Sequence, residues 1–294
     1  MSNTGRSDCL VCRASPMKLS KKYDRLLECE VCGFITADIS ITKEEAEVLY
    51  GKDYFHGQEY SDYTRDKTIL QKNFSHRLKT LGRFLQGYHS SLLEIGCAYG
   101  FFLEISRGLF KKVKGIDISA DAVEYASETF GVDASAGNFL EMETNSYDVC
   151  CMWDTIEHLS EPDRFIKKIS SEISPGGLLA ITTSDIGSLN AKLRGKNWRQ
   201  IHPPTHLHYF SVKTLEKLLD RYGFKTIHIS HPGNLINVET ALYTMLCLKR
   251  DKEKLYDRLI RFFRIIRIAR LNIPVNFFDF MFIIAQKERF ERKL

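Results

Sequence analysis

The sequence has 294 residues, of which 44% are hydrophobic and 27% charged, a composition typical of a soluble globular protein. It holds no apolar run near the roughly 18–20 residues of a membrane span, and its first ten residues lack the apolar core of a signal peptide, which together predict a cytoplasmic protein. The net charge of +5 comes from one segment, because residues 249–270 hold nine lysines and arginines against three acidic residues.

Two cysteine pairs stand near the N-terminus, Cys9 with Cys12 and Cys29 with Cys32, and sixteen residues separate the pairs. Cys-x2-Cys pairs about 15–20 residues apart are typical of zinc sites, because each short turn directs two thiolates at one point. Two disulfides or free thiols are the alternative, and the cytoplasm disfavours disulfides. We therefore predict that residues 1–40 form an autonomous ribbon around a structural zinc ion.

Residues 41–85 are predicted to be a helical linker with an aromatic lid. Thr42 and Glu45 have the spacing of a capping box at the start of a short helix. The aromatic run at 52–63 fits either a packed loop or a lid over a ligand. After it, a helical face is predicted from apolar residues at Ile69, Leu70, Phe74, Leu78, Leu81 and Leu85.

From residue 86 onward, strand-like and helix-like segments alternate, which predicts an α/β fold with a mainly parallel sheet covered by helices. Seven strands are expected, within 91–97, 111–119, 133–139, 146–159, 175–183, 225–233 and 278–288. A helical insertion at about 233–274 is expected before the last strand.

The turn after the first of these strands, Gly96 to Gly100, indicates a pocket for a nucleotide-like ligand. A dinucleotide site needs Gly-x-Gly-x-x-Gly, but Ala98 and Phe101 occupy two of the three glycine positions here. An S-adenosylmethionine site needs an acid near the end of this strand and another about twenty residues on, which Glu94 and Asp117 supply.

These motifs resemble the class I S-adenosylmethionine-dependent methyltransferases over roughly residues 86–232, and more narrowly the bacterial branch with an N-terminal zinc ribbon. The resemblance is carried in order by LLEIGCAYGFFL, GIDIS, YDVCCMWDTIEHL and ISPGGLLAITT, and then by HPPTHLHYFS and LLDRYGF. It implies a Rossmann-like sheet of seven strands with helices on both faces, in a methyltransferase domain at 86–294. Two departures are Ala98 in place of the usual middle glycine and Asn138 where many members have aspartate.

The resemblance implies that Asp117 accepts both ribose hydroxyls, although a helix N-cap is the alternative role for that residue. Adenine would then lie between Ile118, Asn138 and Phe139, and Trp153 would cover the cofactor. The implied cofactor-binding set is Glu94, Gly96, Ala98, Gly100, Asp117, Ile118, Asn138, Phe139 and Trp153.

Histidines that follow the fourth and fifth strands are candidates for a catalytic base, because their proton affinity lies near neutral pH. His158 and His206 are the predicted catalytic residues, with His202 and His208 as further candidates. In some related small-molecule O-methyltransferases a stretch like Asp154, Glu157 and His158 holds a divalent ion; helix capping and core packing are the alternative here.

The predicted activity is methyl transfer to a small molecule or sugar unit, with O-methylation favoured over C-methylation. No Asn/Asp-Pro-Pro-aromatic run follows the fourth strand, and the ribbon through Cys32 has a charge of only about +2, which both disfavour nucleic acid. RNA methylation and a non-catalytic S-adenosylmethionine-binding module remain the alternatives. Residues 249–270 predict a helix packed on the domain or on a second subunit, or a docking surface for an acidic acceptor or a membrane.

Overall fold

The computed structural model describes residues 8–14, 16–39, 41–42, 45, 49, 63–246, 252–266 and 268–289. These residues form three sheets with four, seven and two strands. Thirteen strands and eight α-helices make up the described part of the chain, and they are numbered here in chain order.

The N-terminal strands are β1 (Met17–Leu19), β2 (Leu26–Cys29) and β3 (Ile35–Ala37). β1 and β2 form an antiparallel hairpin, and β3 pairs with β2. Next come β4 (Ser91–Ile95), β5 (Lys112–Asp117), β6 (Asp133–Ala136), β7 (Tyr147–Trp153), β8 (Ile173–Ser184) and β9 (His208–Tyr209). The last four strands are β10 (Phe224–Ser230), β11 (Asn234–Asn237), β12 (Asn272–Val275) and β13 (Phe280–Lys287).

The seven-stranded sheet has the order β10-β13-β8-β7-β4-β5-β6. β13 runs antiparallel to both of its neighbours, while the pairs from β8 to β6 are parallel. The prediction of a mainly parallel seven-stranded sheet is therefore confirmed, strand by strand.

The helices are α1 (Lys67–Gly82), α2 (Phe101–Ser106), α3 (Ala120–Phe130), α4 (Pro162–Glu172), α5 (Leu189–Arg194), α6 (Val212–Asp220), α7 (Val238–Leu246) and α8 (Glu253–Ile265). Alternate residues of each sheet strand face opposite cores. In β7, Cys150 and Met152 face the core beneath α4 and α6, whereas Val149 and Cys151 face the core beneath α1, α2 and α3. Helices therefore cover both faces, as predicted.

The ribbon shares a sheet and an apolar core with the domain, whereas its autonomy as a zinc site stays a prediction. β9 is the fourth strand of its sheet, where Ile35 lies opposite Tyr209 and Thr36 opposite His208. The apolar core of the ribbon continues into the domain, with the rings of Phe34 and Phe210 5.1 Å apart. The boundaries at residues 40 and 85 stay predictions.

Two arginine contacts hold the ribbon from its other side. Arg13 pairs with the buried Asp163 at the start of α4. Arg221, just after α6, donates to the backbone carbonyls of Leu10 and Val11 at 2.9 and 3.0 Å. Because these acceptors lie between Cys9 and Cys12, the first cysteine turn is fixed directly to the domain.

The linker is described only in part. Thr42 and Glu45 make both hydrogen bonds of a capping box, at 2.8 and 3.2 Å, as the sequence predicts. Residues 50–62, most of the proposed lid, lie outside the described residues. Tyr63 at its end stacks on Phe101 at 5.4 Å, and the predicted helix that follows is α1.

The insertion before the last strand holds α7 and α8, as expected, but also a two-stranded antiparallel sheet of β11 and β12 that the sequence analysis missed. The Asn73 side chain fixes this sheet to α1, since it donates to the Leu235 carbonyl and accepts from the Leu235 amide at 2.9 and 2.8 Å. α5 was also not predicted. Of the helices that the structure describes, none is long and apolar enough to cross a bilayer.

Gly100 and Gly131 offer a matched test of close packing beside the sheet. Both have left-handed φ angles, +72° and +57°, but a Cβ at Gly100 would lie 2.8 Å from Ala126 Cβ whereas one at Gly131 meets nothing within 4 Å. We expect Gly131→Ala to lower the free energy of unfolding by about 1–2 kcal/mol from backbone strain alone. Gly100→Ala should cost a further 1–3 kcal/mol, roughly, from overpacking, measured by urea unfolding. Equal losses of unfolding free energy in the two variants would show that α3 moves away from the added methyl group at position 100 without a measurable cost.

Candidate active site and zinc cluster

The four predicted cysteine ligands come together. The sulfur atoms of Cys9 and Cys32 are 3.6 Å apart, as are those of Cys12 and Cys29, and all four lie within 4.8 Å of one another. Zn–S bonds of about 2.3 Å in a tetrahedron place sulfur atoms about 3.8 Å apart, close to these distances. The cluster fits a structural zinc ion with four protein ligands.

The backbone around the cluster repeats one turn twice. Arg13 and Gly33, each directly after the second cysteine of a pair, have positive φ angles of 59° and 75°. Their amides donate to the carbonyls of Cys9 and Cys29 at 2.9 and 2.8 Å. Each turn thus presents two thiols on one side, as the cysteine spacing predicts.

A cavity of about 500 Å³ lies at the carboxyl ends of β4, β5, β6 and β7, within the range of small-molecule sites. Ligands of open parallel sheets bind at this edge. The predicted cofactor residues Gly96, Ala98, Asp117, Ile118, Asn138, Phe139 and Trp153 line it, together with His158. Glu94 and Gly100 lie behind this lining.

Gly96 directly follows β4 and lies against Thr155 in the chain after β7. Its φ is +78°, and a Cβ there would lie 2.5 Å from Thr155 Oγ1. Gly100 is instead needed for packing against α3, as shown above. The two predicted glycines therefore have different roles: Gly96 shapes the cavity, and Gly100 lets α2 and α3 approach.

Asp117 ends β5 and organises the same turn. Its Oδ2 accepts from the Ala98 amide at 2.7 Å, and its Oδ1 accepts from the Ser119 amide at 2.9 Å. Burial raises the pKa of Asp117, and these backbone amides oppose the rise. Ser119, and not Asp117, is the N-cap residue of α3, so the alternative role of Asp117 as a helix N-cap is wrong, and its carboxylate lines the cavity.

Glu94 is buried under the turn, with 2% of its surface exposed. Burial, and then the Asp117 carboxylate, raises the pKa of Glu94 well above its usual range, against the smaller effect of Arg77. Among the described residues no group hydrogen-bonds to its Oε2. Glu94 therefore lies beneath the cavity rather than on its surface.

Asn138 and Phe139 form the far end of the cavity. Asn138 Oδ1 accepts from the Leu140 amide at 3.0 Å and caps a short 3₁₀ turn at Phe139–Glu141. A contact of that oxygen with an adenine amine would therefore use its second lone pair. The Phe139 ring lies 5.7 Å from Phe165, which also lines the cavity and gives this end an apolar wall.

An arginine that the sequence analysis did not single out holds the end of β7. Arg77 of α1 donates to Asp154 Oδ2 at 3.0 Å, and its guanidinium lies 5.6 Å from the Trp153 ring. Asp154 has a positive φ of 51°, and its Oδ1 accepts from Thr182 Oγ1 at 2.9 Å. No motif marks Arg77, because only the fold brings α1 to this strand.

Of the four candidate histidines, His158 alone is named among the described residues that line the cavity. Its Nδ1 lies 2.8 Å from the Thr205 carbonyl oxygen, which can only accept, so Nδ1 carries the proton. Burial lowers the pKa of His158, which favours the neutral ring with its lone pair on Nε2. His158 therefore has the protonation state of a base.

The other histidines lie behind it. The rings of His158 and His206 are 4.7 Å apart, and those of His206 and His202 are 3.9 Å apart. His206 Nδ1 donates to the Gln200 carbonyl at 3.0 Å by the same reasoning. His208 is fully buried in the ribbon contact, where its Nδ1 lies 2.9 Å from Thr36 Oγ1.

The candidate ion ligands that the structure brings together differ from those that the sequence suggests. The described residues place ligand atoms of Glu157, His158 and His206 within 4.8 Å of one another, without Asp154. Burial, and then the nearby Asp154 carboxylate, raises the pKa of Glu157 to about 8, so its carboxyl group is largely protonated at neutral pH. Asp154 is already engaged by Arg77 and Thr182.

The ribbon braces the wall that carries these histidines. Leu207 lines the cavity, and its carbonyl accepts from the Ala37 amide at 2.8 Å and from Thr36 Oγ1 at 3.0 Å. The Leu207 amide in turn donates to the Glu157 carbonyl at 2.9 Å. Leu207 therefore joins the ribbon, the cavity wall and the chain after β7.

Comparison with known proteins identifies the domain. A family model described as a methyltransferase domain matches residues 67–229, more than half of the chain. The chain belongs to this methyltransferase family. The domain is accordingly a class I, S-adenosylmethionine-dependent methyltransferase domain, as its motifs predict.

Two curated relatives of the methyltransferase domain are O-methyltransferases by name. The chain is 27% identical over 144 residues to malonyl-acyl-carrier-protein O-methyltransferase from Yersinia pestis, covering 48% of this chain and 52% of that protein. It is 32% identical over 99 residues to ubiquinone biosynthesis O-methyltransferase from Burkholderia ambifaria, covering 31% and 43%. The chain thus spans about half the length of the curated relatives it matches.

Solved structures confirm the fold of the methyltransferase domain. An S-adenosylmethionine-dependent methyltransferase from Archaeoglobus fulgidus matches with a TM-score of 0.51 at 18% identity, covering 76% of this chain and 99% of that one. The YcgJ protein from Bacillus subtilis matches with a TM-score of 0.52 at 13% identity, covering 73% and 99%.

The cysteine cluster predicts a zinc content. Protein purified without added metal should contain about one zinc ion per chain by elemental analysis, because the four thiolates complete the coordination. Cys29→Ser should lose most of that zinc and unfold at a lower temperature, since metal binding contributes to ribbon folding. The matched control is Cys151→Ala, a buried cysteine outside the cluster, which should keep its zinc. Equal zinc content in the two variants would contradict the assignment.

Proposed function

We propose that this protein transfers the methyl group of S-adenosylmethionine to a hydroxyl group of a small molecule or sugar unit. The observation that carries the proposal is a neutral His158 at the cavity, with its lone pair on Nε2. The two curated relatives, both named O-methyltransferases, support oxygen over carbon as the methyl acceptor.

The residues of the cavity fit the cofactor. Asp117 would accept the ribose hydroxyls, and Ile118, Asn138 and Phe139 would enclose adenine. Trp153 also lines the cavity and would cover the cofactor. S-adenosylmethionine supplies a methyl group that is already activated on a sulfonium.

The remaining work is orientation and proton removal. Holding two reactants in line contributes up to about 7–11 kcal/mol to lowering the barrier. His158 takes the acceptor's proton on Nε2 in this proposal, while the Thr205 carbonyl holds Nδ1–H and stabilises the imidazolium. His206, the other predicted catalytic residue, positions the His158 ring from behind.

Two alternatives are less well supported. In RNA methylation the ribbon would contact the nucleic acid, but its Arg13 is paired with Asp163 and its third strand is covered by β9. For a non-catalytic binding module, a neutral histidine on the cavity wall would have no use. We also propose a cytoplasmic location, because the four cysteines must stay reduced to hold zinc.

The deciding experiment gives labelled S-adenosylmethionine and the purified protein to separate small-molecule, RNA and protein fractions of a cell extract. Label in the small-molecule fraction, lost with His158→Ala, supports the proposal. Label confined to RNA, or turnover that is unchanged in the variant, overturns it.

Asp117→Asn tests the cofactor assignment. We expect S-adenosylmethionine to bind at least about tenfold more weakly by calorimetric titration, because hydrogen bonds to a charged acceptor contribute about 1.5–3 kcal/mol each. Asp121→Asn, an exposed aspartate on α3, is the matched control and should bind as the wild type does. Unchanged affinity in both variants would remove Asp117 from the ribose site.

His158→Gln tests the base. We expect kcat to fall by about 10²–10⁴, the usual contribution of a positioned base, while cofactor affinity changes little. In the wild type, kcat/KM should rise with pH and level off below about 6.5, because a base works unprotonated and burial lowers the pKa of His158 from 6.5. The exposed His76 supplies the control His76→Gln. If kcat/KM of the wild type continued to rise with pH above neutrality, and His158→Gln removed that rise, this role would be contradicted.

A further inference from the structure

The end of α8 and the chain up to β12 expose large apolar side chains. Five of them, Phe262, Ile265, Ile266, Leu271 and Ile273, are 54, 78, 46, 55 and 37% exposed. We call these five residues the α8–β12 corner. Scattered exposed apolar residues are normal, but five within twelve positions mark a contact surface.

The corner is a built part of the fold. After α8 the Ile268 amide donates to the Phe263 carbonyl and the Leu271 amide to the Ile268 carbonyl, both at 3.0 Å. The amides of Val238 and Glu239 at the start of α7 donate to the carbonyls of Leu271 and Ala269 at 3.1 and 2.9 Å. The exposed side chains are therefore held out by a hydrogen-bonded turn.

The opposite face of α8 already has its contacts within the chain. Ile260 is buried, and the Tyr256 ring lies 5.6 Å from Tyr243 of α7. Arg264 donates to Oε1 of the buried Glu239 at 2.7 Å, so this arginine has an ion-pair partner within the chain although its side chain is exposed. The prediction that this segment is a helix packed on the domain is therefore correct for only one face of α8.

The outer face combines apolar and cationic side chains. Residues three or four apart share a helix face, which places Arg258 on the line of Leu255, Phe262 and Ile265, with Arg261 beside it. Both arginines are exposed. Although the arginines drift around the helix, Arg258 and Arg261 lie next to the apolar corner, whereas the exposed Arg264 is paired with Glu239.

The segment that contains α8 carries the net positive charge of the sequence. Residues 249–270 hold nine lysines and arginines and three acids, while the whole chain has a net charge of only +5. Among the described residues of this segment, Arg258, Arg261 and Arg270 are exposed along with the apolar side chains.

We propose that the α8–β12 corner docks on the surface of a bilayer that contains anionic phospholipids. A lipid headgroup layer pairs with the arginines while its acyl boundary covers the phenylalanine, isoleucine and leucine side chains. A second copy of this chain, related by a two-fold axis, would bring two positive segments together. A nucleic acid would pair with the arginines but leave the aliphatic side chains in water.

The experiment is flotation of the full-length protein with vesicles of phosphatidylcholine alone or of phosphatidylcholine with 30% phosphatidylglycerol, a composition of our choosing at about the anionic fraction of biological membranes. The wild type should float with the anionic vesicles only. Arg258→Glu/Arg261→Glu should reduce the bound fraction at least about tenfold, because the partition depends on surface charge. Phe262→Ser/Ile265→Ser should also reduce it, because insertion depends on buried apolar area.

Matched controls separate this surface from general charge and hydrophobicity. The charge control is Lys213→Glu/Lys217→Glu, which makes the same charge change at two exposed positions of α6. The apolar control is Leu193→Ser, which removes an apolar side chain that is 78% exposed and lies outside the α8–β12 corner. Both should float as the wild type does. Cofactor titration in solution, without vesicles, confirms that each variant is folded, and it tests cofactor binding separately from vesicle binding.

Three results would overturn the proposal. One is a wild type that does not bind anionic vesicles at any salt concentration tested. Another is equal binding by the α8 variants and the controls. The third is a dimer or an RNA complex, seen by light scattering, that the same α8 variants abolish in place of vesicle binding.

Discussion

The cavity depends on one close approach, between the turn after β4 and the chain after β7. Gly96 leaves no room for a Cβ beside Thr155, and its φ of +78° would strain any other residue. β4 and β7 are neighbours in the sheet, so this contact determines how far their carboxyl ends separate. Asp117 then fixes the same turn from β5 through the Ala98 amide. The departure from the usual glycine at position 98 is accommodated, because Ala98 adopts a φ of +44° with its amide still bound to Asp117.

The wall of the cavity that contains Leu207 is built by a different means. No glycine turn shapes it; instead, the segment with His206 and Leu207 is held between the ribbon strand β3 and the Glu157 carbonyl. A zinc ribbon is often considered a separate module, yet here its backbone reaches a residue of the cavity wall. The zinc cluster and the methyl-transfer site are thus mechanically connected, although only the second has room for a substrate.

The sequence predicts the features that local chemistry determines. Cysteine spacing located the metal cluster, apolar periodicity located α1, and alternation located all seven strands of the main sheet. It also placed seven of nine cofactor candidates at the cavity, because those residues follow strands whose ends meet at one edge. Glu94 and Gly100 lie behind the lining, where the same motif serves packing.

What the sequence could not supply were the contacts between distant segments. Arg77 meets Asp154 across 77 positions of the chain, and Thr36 meets Leu207 across 171. Neither Arg77 nor Thr36 belongs to a recognised motif, and the periodicity of the sequence does not show which residue either of them contacts. β11 and β12 were missed for a related reason: each has four residues, and their pairing partners stand on opposite sides of two helices. Thr155 was within reach of sequence reasoning, since it follows Asp154 in the recognised motif.

The pairing of β3 with β9 also orders events during synthesis. The ribbon leaves the ribosome early with its four cysteines, and zinc can close it at once. Its edge strand Ile35–Ala37 is buried along its whole length in the finished protein, but the strand that covers it is made about 170 residues later. At about 5–20 residues per second, that apolar edge stays unpaired for roughly 10–30 seconds. An unpaired edge of this kind is a template for pairing with other strands, so the late synthesis of β9 leaves the ribbon open to such pairing during the interval.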